Sequence, residues 1–430
     1  MSHKAKLISE MMHPRAEAAV KGALERFYGS DKISSIWPGA IATGGGSHLP
    51  LDEVEIVVLP LDRIGAPAGA SGAGVYVAYY SHTGATTAQQ AASQPLVVKI
   101  GASHKLRDEK NGADNWPQLT APERNRFAFP LHLDEEDSEH AILLAPFQSL
   151  SHLAEGGSRN EVEVRDLWHL LDDKGELLAA AAFDWSKIER LVAQALEAIE
   201  PAHRSGLARP RSALVEYGPH YEWYLRNTAH DGAGSARYIP SSLFGDGPVT
   251  TAFGRTWPNP TAIVRRIIGN RMVFTGYLGA VHGDLHPKNI VLDKYDGVQI
   301  IDFGWAAVDR HIVLDYVLLD LNLRGTTLPS QVSEQGILQL ADFLDDGADV
   351  ADLPAAVRDR ARIIRGVIWQ KARTHAVVAD WEREYLIPLF LVGYGLLVHL
   401  DNARNQPALI ATVLQLAKRL ETIVPPNHAA

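Results

Sequence analysis

His282-Gly283-Asp284-Leu285-His286-Pro287-Lys288-Asn289, followed downstream by Asp302-Phe303-Gly304, is the stretch on which the reading of this chain turns. The spacing H-x-D-x-x-x-x-N and then D-F-G sets a carboxylate, an amide and a second carboxylate in the order that phosphoryl transfer needs. Asp284 can accept the proton of an attacking hydroxyl, while Asn289 and Asp302 can hold magnesium against nucleotide phosphates. An Asp-Phe-Gly tripeptide alone arises often by chance, and an isolated Asp is usually a surface carboxylate. Here such a bland reading has to explain several spacings at once.

The flanks support the placement. Val291-Leu292 and Gln299-Ile300-Ile301 are short apolar runs around Asp293–Gly297, and Asp-Gly between apolar runs signals a hairpin. The loop Asp284–Asn289 is therefore predicted to lead into one strand and the next strand to end at Asp302, with both metal-facing side chains at the rim of a small sheet. A zinc-hydrolase reading of His282-x-Asp284-x-His286 leaves Asn289 and Asp302 unexplained.

Upstream, Val54–Leu59, Val75–Tyr80 and Leu96–Ile100 read as strands, with the glycine-rich run Gly65–Gly74 before the second. Glycines let backbone approach phosphates, and Gly69, Ser71, Gly72 and Gly74 are the candidate contacts. The run lacks a clean G-x-G-x-x-G; its position ahead of Lys99 carries the reading. Lys99 is the one Lys on these strands, and Glu109, with Asp108 as competitor, can pair with it and aim it at the α- and β-phosphates. Phe127–His132 and Ala141–Leu144 flank an acidic turn at Asp134–Asp137. Ala145–Gln148, with Phe147, stands where a hinge meets the nucleotide base.

Composition bounds the rest. The chain has 430 residues, is 46% hydrophobic and carries a net charge of −10, enough for two or three cores and without a basic stripe for nucleic acid. No cysteine is present, which excludes disulfides and Cys-ligated zinc. No apolar signal core follows Met1–Lys6, and Leu386–Leu400 is interrupted and reads as a buried helix too short to span a bilayer, so a cytoplasmic protein without membrane contact is expected.

The predicted organisation is an N-terminal helical extension and linker over 1–50, with its helix near His13–Tyr28, then a nucleotide-clamping sheet lobe over 51–148. A helical lobe over 149–430 follows, with an insert near 203–260 that contains Tyr217, Tyr221, Trp223, Tyr224 and Trp257. Those aromatics either pack the insert's own core or cover an acceptor pocket. Helices are predicted near Trp185–Ile199, Gln335–Phe343, Ala355–Ala379, Trp381–Leu400, with a kink at Pro388, and Ala408–Ile423.

Together the motifs resemble the aminoglycoside phosphotransferase-like branch of the protein-kinase-like superfamily. More narrowly, Gly69–Gly74, Lys99, Glu109 and Asp315-Tyr316 are similar to bacterial ternary-complex-associated kinase-like domains of conflict systems. The resemblance implies an α+β, two-lobed protein-kinase-like fold, with a small antiparallel sheet lobe and a large helical lobe. It implies ATP or GTP as donor, Mg2+ held by Asn289 and Asp302, Asp284 as catalytic base and Lys99 as phosphate anchor. His282 and Asp315 would steady the catalytic loop, and His286 would touch the γ-phosphate or pack. Only Trp305–Leu314 separates Asp-Phe-Gly from Asp315, which is too short for a regulated activation segment, so a small hydroxylated acceptor is favoured: an aminoglycoside, sugar or amino alcohol. A nucleotide-binding regulatory module with a protein partner, or a kinase acting on protein, is the alternative.

Overall fold

A computed structural model describes residues 6–9, 14–28, 54–60, 74–82, 96–135, 139–146, 165–171, 184–205, 209–225, 244–245, 247–292, 296–343 and 349–426. The chain divides into two compact units. The first comprises Met1–Trp116, Thr120–Asp166 and Asn289–Ala306; the second comprises Pro117–Leu119, Leu167–Lys288 and Ala307–Ala430.

The first unit is built on strands β1 (Lys6–Ser9), β2 (Val54–Pro60), β3 (Gly74–His82), β4 (Leu96–Ala102), β5 (His132–Glu135) and β6 (His140–Pro146), in the order β1-β2-β3-β4-β6-β5. All pairs are antiparallel except β1 with β2. That parallel strand had no sequence signal, being only four residues long. Helix α1 (Pro14–Tyr28) falls where helical spacing placed it and buries Ala19, Val20, Ala23 and Leu24. Helix α2 (Ser103–Asp114) follows β4 directly and buries Ser103, Leu106 and Glu109 at helical spacing. Leu106 packs with Ala141, Leu143 and Leu133 from the sheet.

The strand expected from Phe127 starts instead at His132. Ala128 N–H donates to the Ile300 carbonyl at 2.9 Å and Ile300 N–H to that of Arg126 at 2.9 Å, so this segment is engaged elsewhere. Strands β7 (Arg165–Asp166), β12 (Ile290–Leu292) and β13 (Val298–Ile300) form a second sheet in the same unit, in the order β13-β12-β7. Residues Asn289–Ala306 thus group with the unit of the six-stranded sheet, whereas the sequence reading had put them in the helical lobe. The predicted hairpin is present, with Asp296 at φ 58 in its turn.

In the second unit, α3 (Trp185–Arg204) begins at an Asp184 cap and presents Ile188, Leu191, Val192, Ala195, Leu196 and Ile199 to the core. Strands β8 (Arg211–Glu216), β11 (Val273–Val281) and β14 (Ala307–His311) form a sheet in the order β14-β11-β8. Helix α4 (Tyr217–Leu225), the hairpin of β9 (Val249–Ala252) and β10 (Arg255–Pro258), and α5 (Pro260–Gly269) fill the insert. Among its described aromatics, Tyr217 and Tyr221 pack outside the insert. Tyr217 stacks on Phe274 of β11 at 4.4 Å and donates to the Arg383 carbonyl, while Tyr221 meets His311 of β14 at 2.7 Å.

The remaining helices are α6 (Val313–Leu321), α7 (Glu334–Asp342), α8 (Ala355–Ile363), α9 (Gln370–His375), α10 (Ile387–Leu396) and α11 (Gln406–Leu420). The long helices expected over 355–379 and 381–400 run through π segments at Ile364–Trp369 and Glu382–Leu386, with helical backbone on both sides of each. Pro388 is the second residue of α10, which directly follows the π segment where the Tyr217 hydroxyl donates to the Arg383 carbonyl, so the irregularity lies in the turn before the residue that lacks an N–H. Glu382–Asn402 is long and apolar enough to cross a membrane, contrary to the sequence estimate, but 72% of its most apolar window is buried within the protein. Around it, Asp320 accepts from Arg324, from Trp369 Nε1 at 2.7 Å and from the Tyr385 hydroxyl at 2.9 Å, satisfying a fully buried carboxylate.

Candidate active site

Each unit carries part of the predicted chemistry. In the first, Lys99 lies on β4 opposite Val75 and Leu143. Its Nζ donates to Glu109 Oε1 at 2.7 Å and stands 3.5 Å from Asp302 Oδ2. Helical periodicity puts Glu109 on the buried face of α2 and Asp108 on the exposed one, so Glu109 is the partner. Burial pulls the Lys99 ammonium down, but the Asp302 and Glu109 carboxylates outweigh it and hold its pKa above the ordinary lysine value. Burial pushes the Glu109 carboxyl up to about 7 even against the attraction of Lys99.

Asp302 sits at φ 67, a left-handed backbone uncommon outside glycine, and keeps 40% of its side chain exposed. Phe303 behind it is fully buried, stacked on Phe129 at 4.7 Å and edge-on to Trp116 at 5.4 Å. Gly112 of α2 lies against this turn so closely that a Cβ there would stand 2.2 Å from the Phe303 carbonyl oxygen. Helix α2 therefore positions both Glu109 and the Asp-Phe-Gly backbone, and Gly112 is a residue the sequence reading missed.

Asn289 ends a single 3-10 turn, Pro287–Asn289, and its carbonyl accepts from Ile301 N–H at 3.0 Å, which ties its backbone to the residue just before Asp302. The donors on offer are a carboxylate and an amide, both oxygen ligands. Magnesium takes few protein ligands and fills its octahedron with phosphate and water, so this pair fits it. Among the described residues no group of three or more His, Asp or Glu is arranged to hold a metal, which leaves the zinc reading without support. Gly74 opens β3; Gly69, Ser71, Gly72 and Phe147 lie outside the described residues.

In the second unit, the loop predicted to be catalytic is pinned by its backbone. Asp315, fully buried on α6, accepts from His282 N–H at 3.0 Å and Gly283 N–H at 2.9 Å, and its Oδ2 also meets His203 Nε2 at 2.9 Å. A carboxylate only accepts, so His203 supplies the proton of that bond. The Tyr224 hydroxyl of α4 donates to the Gly283 carbonyl at 2.5 Å. Gly283 itself lies at φ 77, as glycine readily does. The residue preceding Asp284 is therefore gripped through its N–H and its C=O, and neither His203 nor Tyr224 had been singled out for this role.

Lys288 N–H donates to His286 Nδ1 at 3.2 Å, which leaves the neutral ring's proton on Nε2, 3.5 Å from Asp284 Oδ2. His286 thus faces the candidate base. Lys288 places its ammonium 4.4 Å over the Trp168 ring.

Strand-borne Lys99, helix-borne Glu109, the loop with Asp284 and Asn289, half-exposed Asp302 and buried Asp315 follow one another along the chain. Residues 220–397 match the family model of Ternary complex associated domain 9. That description agrees with the narrower resemblance read from the sequence, of whose residues Asp315 and Tyr316 lie in the matched span. No curated protein matches the sequence at a significant level. Among solved structures, similarity extends to choline kinase LicA from Streptococcus pneumoniae, at 12% identity over 74% of this chain and 89% of that one, TM-score 0.30. An aminoglycoside phosphotransferase solved with ADP and hygromycin B is 10% identical over 86% and 98%, TM-score 0.35. A glucosamine kinase solved with glucosamine, ADP and inorganic phosphate is 11% identical over 92% and 99%, TM-score 0.34. At such values the chemistry has to be argued from the residues themselves.

Proposed function

We propose that the chain is a phosphotransferase that moves the γ-phosphate of ATP or GTP to a hydroxyl of a small molecule. The observation that carries this reading is the Lys99 ammonium shared between Glu109 at 2.7 Å and Asp302 at 3.5 Å. A buried cation held by a helix carboxylate beside a half-exposed, metal-facing carboxylate is what anchoring of nucleotide phosphates requires. Asn289 and Asp302 would hold magnesium, which when bound neutralises charge on the transferring phosphoryl group. Lys99 binds the α- and β-phosphates. Asp284, oriented by His286 and by the bonds on Gly283, takes the acceptor proton. The ten residues Trp305–Leu314 are consumed by β14 and the approach to α6. This favours a small acceptor over a docked protein segment.

The test is Asp284→Ala assayed against a panel of aminoglycosides, amino sugars and amino alcohols by ADP release, with nucleotide affinity measured in parallel. Turnover should fall by at least roughly a hundredfold while nucleotide binding persists. Unchanged turnover in that variant would rule the mechanism out.

A further inference from the structure

Strand β8 reads Arg211-Ser212-Ala213-Leu214-Val215-Glu216 and pairs along its whole length with β11, at the edge of the sheet β14-β11-β8. Just past it, Tyr217 N–H donates to the Met272 carbonyl at 3.1 Å. Backbone polar groups alternate sides along a strand, so Val215 and Ala213 also turn theirs toward β11. Ser212, Leu214 and Glu216 turn theirs outward, and among the described residues no backbone bond reaches them.

Natural sheet edges are normally blunted by Lys, Pro, bulges or covering elements. This strand has no Lys and no Pro, and its register with β11 is unbroken. At its centre Leu214 is 73% exposed, the most exposed large apolar residue described, and Val273, on the same face one diagonal step away on β11, is 44% exposed. Charges sit only at the ends: Arg211, paired with Asp309 at 2.9 Å, and Glu216, paired with Arg271 at 2.9 Å.

We infer that β8 is an interaction edge whose partner is β8 of a second copy of this chain, paired antiparallel about a twofold axis at Leu214. Three features select that occupant. Residues opposed across an antiparallel pair point to the same face, so the outward-facing set Ser212, Leu214 and Glu216 must oppose itself. Centring on Leu214 does this, setting Leu214 against Leu214 and Ser212 against Glu216. The same residues are those with outward N–H and C=O groups, so every opposed pair exchanges reciprocal backbone bonds. Antiparallel pairing also sets no like charges opposite each other, since Glu216 meets Ser212 and Arg211 lies on the other face, whereas in-register parallel pairing would set Arg211 beside Arg211 and Glu216 beside Glu216. The joined sheet is continuous through both copies, and the twofold arrangement closes on itself without leading to fibres.

The cysteine-free sequence makes the test clean. In a hydrogen-bonded antiparallel pair the opposed Cα atoms lie about 5.5 Å apart, within reach of a disulfide. Leu214→Cys should therefore give a disulfide-linked dimer under mild oxidation. Val308→Cys, 51% exposed on β14 at the opposite edge of the same sheet, should crosslink only at the collision background. Sedimentation of the wild-type chain should show reversible dimers, and Leu214→Lys, an exposed substitution, should weaken them roughly tenfold or more by opposing like charges. A wild-type chain that stays monomeric across the micromolar range overturns the proposal. So does a dimer indifferent to Leu214→Lys, or Leu214→Cys crosslinking no faster than Val308→Cys.

Discussion

The hydroxyl of Tyr224 donates to the carbonyl oxygen of Gly283 across 2.5 Å, while the N–H of the same Gly283 donates to buried Asp315 across 2.9 Å. One glycine in the left-handed region is thus held from both sides, immediately before the candidate base Asp284. Tyr224→Phe removes one neutral hydrogen bond and no packing volume. Turnover should fall roughly three- to tenfold, the kinetic equivalent of about 1 kcal/mol, with nucleotide affinity and thermal stability little changed. An equal loss of nucleotide binding would show that Tyr224 supports the fold and not the loop.

Lys99 and Glu109 should respond asymmetrically. Lys99→Met removes the proposed phosphate anchor, so nucleotide affinity and turnover should both collapse, by roughly a hundredfold or more in kcat/KM. The fold should survive, because burial already holds the Glu109 carboxyl near 7 and it can take up a proton once its partner is gone. Glu109→Gln leaves the ammonium with Asp302 as its remaining close carboxylate. The magnesium concentration needed for half-maximal nucleotide binding should then rise, as Lys99 and the metal compete for one carboxylate. Calorimetric titration of nucleotide at several magnesium concentrations separates the two outcomes.

Gly112→Ala is the corresponding test of backbone placement. Its new methyl would meet the Phe303 carbonyl at 2.2 Å, and the neighbour is main chain, which cannot swing aside. The expected cost is about 1–3 kcal/mol of stability, measured by denaturant unfolding. Magnesium-dependent nucleotide binding should weaken as well, because Asp302 moves with Phe303. A variant that is destabilised yet binds nucleotide normally would detach Gly112 from the site.

What could be read in the sequence was local or periodic. Asp284, Asn289 and Asp302 lie on one short loop and hairpin, so their spacing alone singled them out as candidates. Lys99 and Glu109 follow from a strand running directly into a helix, and the i, i+3 face through Ser103 and Leu106 could have separated Glu109 from Asp108. His203 and Tyr224 reach the loop from elements far upstream, and their roles depend on where α3 and α4 pack against β11 and α10. Gly279 shows the tightness of that packing: a Cβ there would stand 2.1 Å from the His203 carbonyl oxygen. Gly112 reads in the sequence only as a poor helix residue, because what it accommodates is a carbonyl far downstream. The π turns at Ile364–Trp369 and Glu382–Leu386 lie in segments whose apolar pattern looks like continuous helix, since one extra residue in a turn barely disturbs that pattern.

Acid should destabilise the second unit through His311. This residue is 2% exposed, its Nδ1 meets the Tyr221 hydroxyl at 2.7 Å, and its ring packs 4.7 Å from Phe274. Burial, with a smaller push from His220, lowers its pKa from 6.5 to about 3. The folded state therefore refuses a proton that the unfolded chain accepts. The stability is fully present above the unfolded value of 6.5 and is lost progressively as pH falls toward 3. Near pH 5 the loss attributable to this one group is about 2 kcal/mol. His311→Asn lowers stability at neutral pH but has no ring to protonate, so its unfolding free energy should fall less steeply between about pH 7 and pH 5 than that of the wild type. Urea unfolding of both proteins across that range reads the difference directly, and parallel pH profiles would show that His311 is not the group being titrated.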